Sequence, residues 1–221
     1  MLARADLEDA AIRVIDRHGL DGLSMRAVAA ELGTGPMTLY NYISDRAELD
    51  AFVVDGVLRP IQLPPAPSVD WRADVHEIAG QTWAAVRAHP NGVPLILARR
   101  SHSPRFLDIA EQLLEALARS GLSGQDLLAA FRAVSTLATA FALNELGSPL
   151  SERGGGREAT IERFHSLPAD RYGRLVDMAA AAGNSGPAAE LHRGLEARLN
   201  GLCPPAPGET TRFGGPRHRR G

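Results

Sequence analysis

Ser24-Met25-Arg26-Ala27-Val28-Ala29-Ala30-Glu31-Leu32-Gly33-Thr34-Gly35-Pro36-Met37-Thr38-Leu39-Tyr40-Asn41-Tyr42 decides the fold. Ser24 suits an N-cap, because its short hydroxyl can accept from a free first-turn N–H. Met25 to Leu32 then read as a helix, and Gly33 stops it, as glycine does where the chain must turn left-handed. Pro36 opens a second helix over Met37 to Tyr42, since its missing N–H has no partner in a first turn anyway. Two short helices across a tight turn fit a helix-turn-helix, in which one helix braces and the other presents side chains to a major groove. Ala29 and Ala30 allow close approach, and Val28, Leu32 and Leu39 supply an inner face. Thr38, Tyr40, Asn41 and Tyr42 remain outside: hydroxyls suit phosphates and an asparagine amide suits a base edge. By periodicity alone a small helical bundle with surface aromatics fits as well.

Upstream, Ala3 to His18 reads as a helix with Leu7, Ala11, Val14, Ile15 and His18 on one stripe, ended by Gly19. Downstream, Ser44 can cap a helix from Asp45 to about Leu58. Pro60 and Pro64-Pro65-Ala66-Pro67 break helical structure. Further helices are expected at about 70–88, 91–99, 104–119, 124–146, 158–165, 169–182 and 187–201. Gly147 to Arg157, with Gly154-Gly155-Gly156, reads as a mobile loop. The fold expected is all-α: an N-terminal three-helix helix-turn-helix domain at 1–48, a linking helix at 45–58, a second helical bundle at 59–203, and a disordered Arg-rich tail at 204–221.

The 221 residues carry 24 basic side chains, all arginine, and a formal charge of −2. Any nucleic-acid contact must therefore come from a local patch rather than bulk charge. Residues 1–58 hold five arginines (4, 13, 17, 26, 46) against ten carboxylates (6, 8, 9, 16, 21, 31, 45, 48, 50, 55). Binding through so few cations predicts a shallow salt dependence. Cys203 is the only cysteine, so no disulfide forms within the chain. The N-terminus has no apolar leader core, and no stretch is expected to supply the ~20 apolar residues of a membrane span. The cytoplasm is the location expected.

Gly22-Leu23-Ser24-Met25-Arg26, Ala29-Ala30-Glu31-Leu32-Gly33, Thr38-Leu39-Tyr40-Asn41-Tyr42-Ile43 and Arg46-Ala47-Glu48-Leu49 together resemble the signature of the tetracycline repressor family, over residues 5–58 without a gap. A weaker resemblance covers 69–202, on Asp70-Trp71-Arg72, His89-Pro90, Ser120-Gly121-Leu122 and Ala133-Val134-Ser135. Ile43 stands where the family usually has phenylalanine, and Arg46 where it has a phosphate-contacting lysine. Asn41 leaves base preference open. The resemblance implies a repressor that binds operator DNA as a homodimer and is released by a small-molecule effector. It makes Arg26 and Thr38 candidates for base or phosphate contact, and Ser24, Met37, Tyr40, Tyr42 and Arg46 candidates for backbone positioning. Met25, Pro36 and Asn41 complete the expected DNA-binding set.

The second block is implied to hold the effector. Ile78, Trp83, Ile96, Leu113, Leu128 and Phe131 are candidate apolar walls, and Thr82, Arg100, His102, Ser135, Thr139 and Asn144 candidate polar contacts. For each apolar residue ordinary core packing is the competing account. Ile96 and Asn144 align with the family's metal-binding histidine and water-linked glutamate, and neither suits a hard cation. No metal and no cofactor are expected. Dimerisation is implied for the helices near 124–146 and 187–201, where Leu191, Leu195, Leu199 and Leu202 form a stripe that intrachain packing would also use.

Seven histidines are scattered, and no nucleophile elbow, P-loop, HExxH or paired-cysteine motif accompanies them. An enzyme is thereby disfavoured. The alternative kept open is a helical small-molecule-binding protein without sequence-specific DNA binding, which the acidic N-terminal balance favours.

Overall fold

A computed structural model describes residues 2–147 and 156–202. The expected loop at 147–157, apart from its ends, lies outside the described residues, as do Cys203 and the 204–221 tail. Eleven α-helices and no strand occur among the described residues: α1 Arg4–His18, α2 Met25–Glu31, α3 Pro36–Leu39, α4 Arg46–Leu58, α5 Trp71–Ala88, α6 Val93–Arg99, α7 Pro104–Ala118, α8 Gly124–Gly147, α9 Arg157–His165, α10 Ala169–Gly183 and α11 Pro187–Leu202.

Local chemistry sets the first four. Ser24 Oγ accepts from the Ala27 N–H at 3.1 Å and caps α2. At its far end Gly33 has φ +66, Gly33 N–H donates to Ala30 O and Thr34 N–H to Ala29 O. That pair of bonds is the Schellman ending, which satisfies the last carbonyls and turns the chain sharply. α3 is one turn long, shorter than expected; residues 40–43 continue it with tightened turns from Asn41 N–H to Thr38 O and Tyr42 N–H to Leu39 O, and an α-type bond from Ile43 N–H to Leu39 O. Asp45, not Ser44, caps α4, accepting from Glu48 N–H at 2.8 Å. Glu48 returns the bond to Ser44 N–H at 2.7 Å, closing a reciprocal cap.

Leu7, Ala11, Val14 and Ile15 are buried, whereas His18 ends the stripe in solvent. α4 is buried almost all round, the sign of a helix enclosed on every side. It packs on α1 and also on α5, α6 and α7, so it belongs to both halves of the chain. Gly56 permits this: a Cβ there would stand 2.7 Å from Ile12 Cδ1 of α1. Beyond α4, α5 packs on α7, α8 and α11, while α9 pairs with α10. Asp74 of α5 fixes the incoming Pro-rich connection. Burial pushes its carboxyl up, but hydrogen bonds from Ser68 and Arg119 and the Arg119 charge outweigh burial and hold it below the usual carboxylate range.

The expectation about apolar stretches is corrected. Gly124–Glu145 of α8 is 22 residues long with mean hydropathy 1.4, long and apolar enough to span a bilayer by length and composition. Of its apolar window 28% is buried, against α5, α7 and α11.

Candidate DNA-reading face and effector cavity

α2 and α3 are positioned by Val28, Ala29 and Leu39, which are buried with Ile43 against α1 and α4. Their outward side chains are Ser24, Arg26, Pro36, Met37, Thr38, Tyr40 and Asn41, all exposed, with Met25 half-buried. Met37 is 77% exposed and Tyr40 52%. A large apolar side chain so far from the core is the kind of surface a partner covers. Two residues depart from expectation. Tyr42 is half-buried and packs against the core, and its Oη accepts from Leu2 N–H at 3.3 Å. Tyr42→Ala is therefore expected to lower thermal stability, by roughly 1–2 kcal/mol, as well as operator affinity; a calorimetric melt separates the two effects. Arg46 is exposed, but its Nε donates to Asp50 at 2.8 Å and its Nη1 to Leu23 O. It braces α4 against the start of α2 rather than standing free.

The acidic balance is resolved by pairing. Glu31 binds Arg13 at 2.6 Å and Arg17 at 2.8 Å, and the Arg13 hydrogen bond, with the two arginine charges, holds its carboxyl below the usual range. Arg4 binds Glu8 and Asp55. Asp6, Asp45 and Glu48 serve as caps. Arg26 stands apart from these pairs. It is exposed on α2, with no ion pair among the described residues.

The second site is a small apolar cavity of about 40 Å³ enclosed by α4 to α8. Of the twelve residues expected to contact a ligand, Thr82, Ile96, Arg100, Leu113, Phe131, Ser135 and Thr139 line it. Five lie elsewhere. Ile78 is buried in the core beside it, and Leu128 and Asn144 face outward on α8. His102 is exposed in the turn Arg100–His102. Trp83 points to the far end of α8, where its indole N–H donates to Glu145 at 2.8 Å and Arg87 also binds Glu145. Glu145 is thus engaged away from the cavity. Leu58, Ala79, Phe106, Ile109, Ala110, Val134 and Ala138 complete the lining. Which core residues border a void depends on how helices cross, and no local pattern carries that. The Thr82 and Thr139 hydroxyls donate to Ile78 O and Ser135 O of their own helices, leaving acceptor lone pairs toward the cavity. Arg100 lies over the Phe106 ring, 5.2 Å from its centroid, and brings a cation to the lining.

Cavity and reading face meet at α4. Leu58 lines the cavity from one side of that helix. Asp55, 6% exposed, accepts from Arg4 of α1 and from Ser103, the N-cap of α7. Asp50 binds Arg46 on one side and lies 3.8 Å from Arg99 of α6 on the other. Asn91 donates to Ile15 O of α1 at 2.9 Å.

An all-α chain with an exposed helix-turn-helix, a shared linking helix and an enclosed apolar cavity has the architecture of a DNA-binding transcriptional regulator. The chain belongs to the tetR family of bacterial regulatory proteins. Residues 7–49 match that family, and residues 63–203 match the tetracyclin repressor-like C-terminal domain. It is 36% identical over 150 residues to the HTH-type transcriptional repressor DrrR1 of Streptomyces coeruleorubidus, covering 67% of this chain and 55% of that protein. The fold aligns with the TetR family protein ActR of Streptomyces coelicolor in complex with actinorhodin at TM-score 0.72 and 27% identity, over 91% of this chain and 97% of that one. It also aligns with BioQ on its double-stranded DNA operator at TM-score 0.55 and 29% identity, over 82% and 99% of the two chains.

Proposed function

We propose that the chain is a homodimeric repressor that binds double-stranded operator DNA through Ser24 to Tyr42 and leaves it when a small, largely apolar effector enters the α4–α8 cavity. The carrying observation is the double membership of α4: Leu58 lines the cavity while Asp55 ties the same helix to α1 and Arg46 ties it to Leu23 O just before α2. The cavity as it stands is far smaller than the ~300 Å³ that drug-sized ligands need. An effector must therefore spread α5, α7 and α8, and α4 moves with them. A ligand that fits only the spread state shifts the population toward it. Two threonine acceptors and one arginine favour an aromatic effector with hydroxyl or acidic substituents. Regulation rather than catalysis, acting on DNA in the cytoplasm, follows from the same assignment.

The dimer face proposed is the outer side of α8 and α11. Leu191, Leu195 and Leu199 are buried within the chain, so the apolar stripe is spent on intrachain packing. What remains outside is a shallow groove of small side chains, including Ala129, Ala133, Ala140, Gly194 and Ala197. Small residues let two helix pairs close into a four-helix bundle.

Fluorescence anisotropy against DNA from the protein's own upstream region tests the proposal, with actinorhodin as first effector probe and light scattering for the mass. Saturable, salt-sensitive and sequence-selective binding by a dimer is expected, relieved by a ligand that competes for the cavity. A dimer that binds aromatic ligands but no DNA selectively would instead favour the helical ligand-binding protein, for which the excess of carboxylates over arginines in residues 1–58 speaks.

A further inference from the structure

α5 and α11 bring together three ligating side chains, one of which lies far from the other two in the chain. His76 Nε2 is 2.6 Å from Glu196 Oε1, and the His76 and His192 rings stack with centroids 4.1 Å apart. One ligand atom from each of the three lies within 4.8 Å of the others. His192 and Glu196 are four residues apart and share one face of α11, the spacing at which two helical side chains reach the same ion. A tetrahedral zinc with bonds of about 2.0–2.1 Å sets its ligand atoms about 3.3 Å apart, so small side-chain rotations would close the set.

We propose that His76, His192 and Glu196 form a site for a zinc-class divalent cation that clamps α5 to α11. Two imidazoles and one carboxylate are borderline ligands suited to zinc or cobalt rather than to magnesium or calcium. Three protein ligands leave a fourth position for water. Arg72 lies 3.8 Å from the other Glu196 oxygen, Oε2, and orients that carboxylate. His76 is partly buried, which keeps its ring in place before an ion arrives; His192 is exposed and gives the ion a way in. The ligands lie on the side of α11 opposite Gly194, Ala197 and Arg198, so the proposed dimer face leaves the site open. The ion would also act on the cavity helix. His76 is one turn before Ala79, which lines the cavity, so a bound cation resists movement of α5.

The test titrates the untagged, metal-free full chain with cobalt, read by visible absorbance, and with zinc by competition and by calorimetry. One ion per chain is expected, with a tetrahedral cobalt spectrum and a rise in melting temperature on adding zinc. His192→Ala removes an exposed side chain and leaves the fold intact; about a tenfold or greater loss of affinity is expected. Glu196→Gln should show a similar loss, whereas His165→Ala on α9 should keep wild-type affinity. No saturable one-to-one binding, or equal affinity in wild type and His192→Ala, overturns the proposal. Metal-dependent stabilisation that survives both variants also overturns it, by placing the ion elsewhere.

Discussion

Arg26→Ala is expected to lower operator affinity by about 1–3 kcal/mol, the usual worth of one arginine contact at a base edge, while leaving the fold and dimer intact. The size of the effect follows from scarcity. Arg4, Arg13, Arg17 and Arg46 are each bound to a carboxylate within the domain. Arg26 is exposed on α2 beside the reading turn with no such partner among the described residues. Its cation is therefore available without breaking an ion pair first. Anisotropy titrations over a range of salt concentrations distinguish its two possible contacts. If Arg26 meets a phosphate, the salt slope falls by about one unit and all sequences weaken alike. If it meets a base, the slope changes less and one operator position loses discrimination. Arg13→Ala serves as the contrast. It frees Glu31 from one partner, weakening the α1–α2 brace, and is expected to affect stability before DNA contact. Equal operator affinity for wild type and Arg26→Ala would remove Arg26 from the interface and shift the burden to Thr38, Tyr40 and the backbone donors.

The reading head was legible because its determinants are local. Ser24, Gly33 and Pro36 act within one turn of their own positions, so capping and turn chemistry alone place both helices. Tyr42 and Arg46 were less legible, because what holds them comes from elsewhere: the Leu2 N–H in one case, Leu23 O and Asp50 in the other. The apparent excess of acid shows the same limit. A count gives the charge, but only the fold shows Glu31 between Arg13 and Arg17 and Asp55 between Arg4 and Ser103. The cavity lies between these cases. Helical periodicity marks Phe131, Ser135 and Thr139 on one face of α8, and they do share the lining; Leu128, one turn earlier, is exposed instead. The His76, His192 and Glu196 cluster had no sequence signal, since His76 and His192 stand 116 positions apart in the chain.

Ala138→Phe is expected to release the operator without any effector. Ala138 is 1% exposed on α8 and lines a cavity of about 40 Å³. A benzyl group does not fit in that volume, so the packed state must absorb an overpacking cost of about 1–3 kcal/mol. If spreading α5, α7 and α8 relieves that cost, the same energy favours the spread state. The expected fall in apparent operator affinity is then about 5–150-fold, the usual range of coupling between two sites. Effector affinity should fall as well, because the ring occupies the ligand's space. This double loss separates a wedge from simple damage. A destabilised chain would lose helicity and melting temperature, whereas a wedged one keeps its helical circular dichroism and dimer mass while losing DNA. Leu58→Ala on α4 tests the same coupling from the other side. It enlarges the cavity and loosens the contact through which a ligand pushes, so effector binding should persist while the ligand's hold over operator affinity weakens. A folded Ala138→Phe variant with wild-type operator affinity would show that α4 does not follow the cavity walls, and the reading face would then need a different link to the effector.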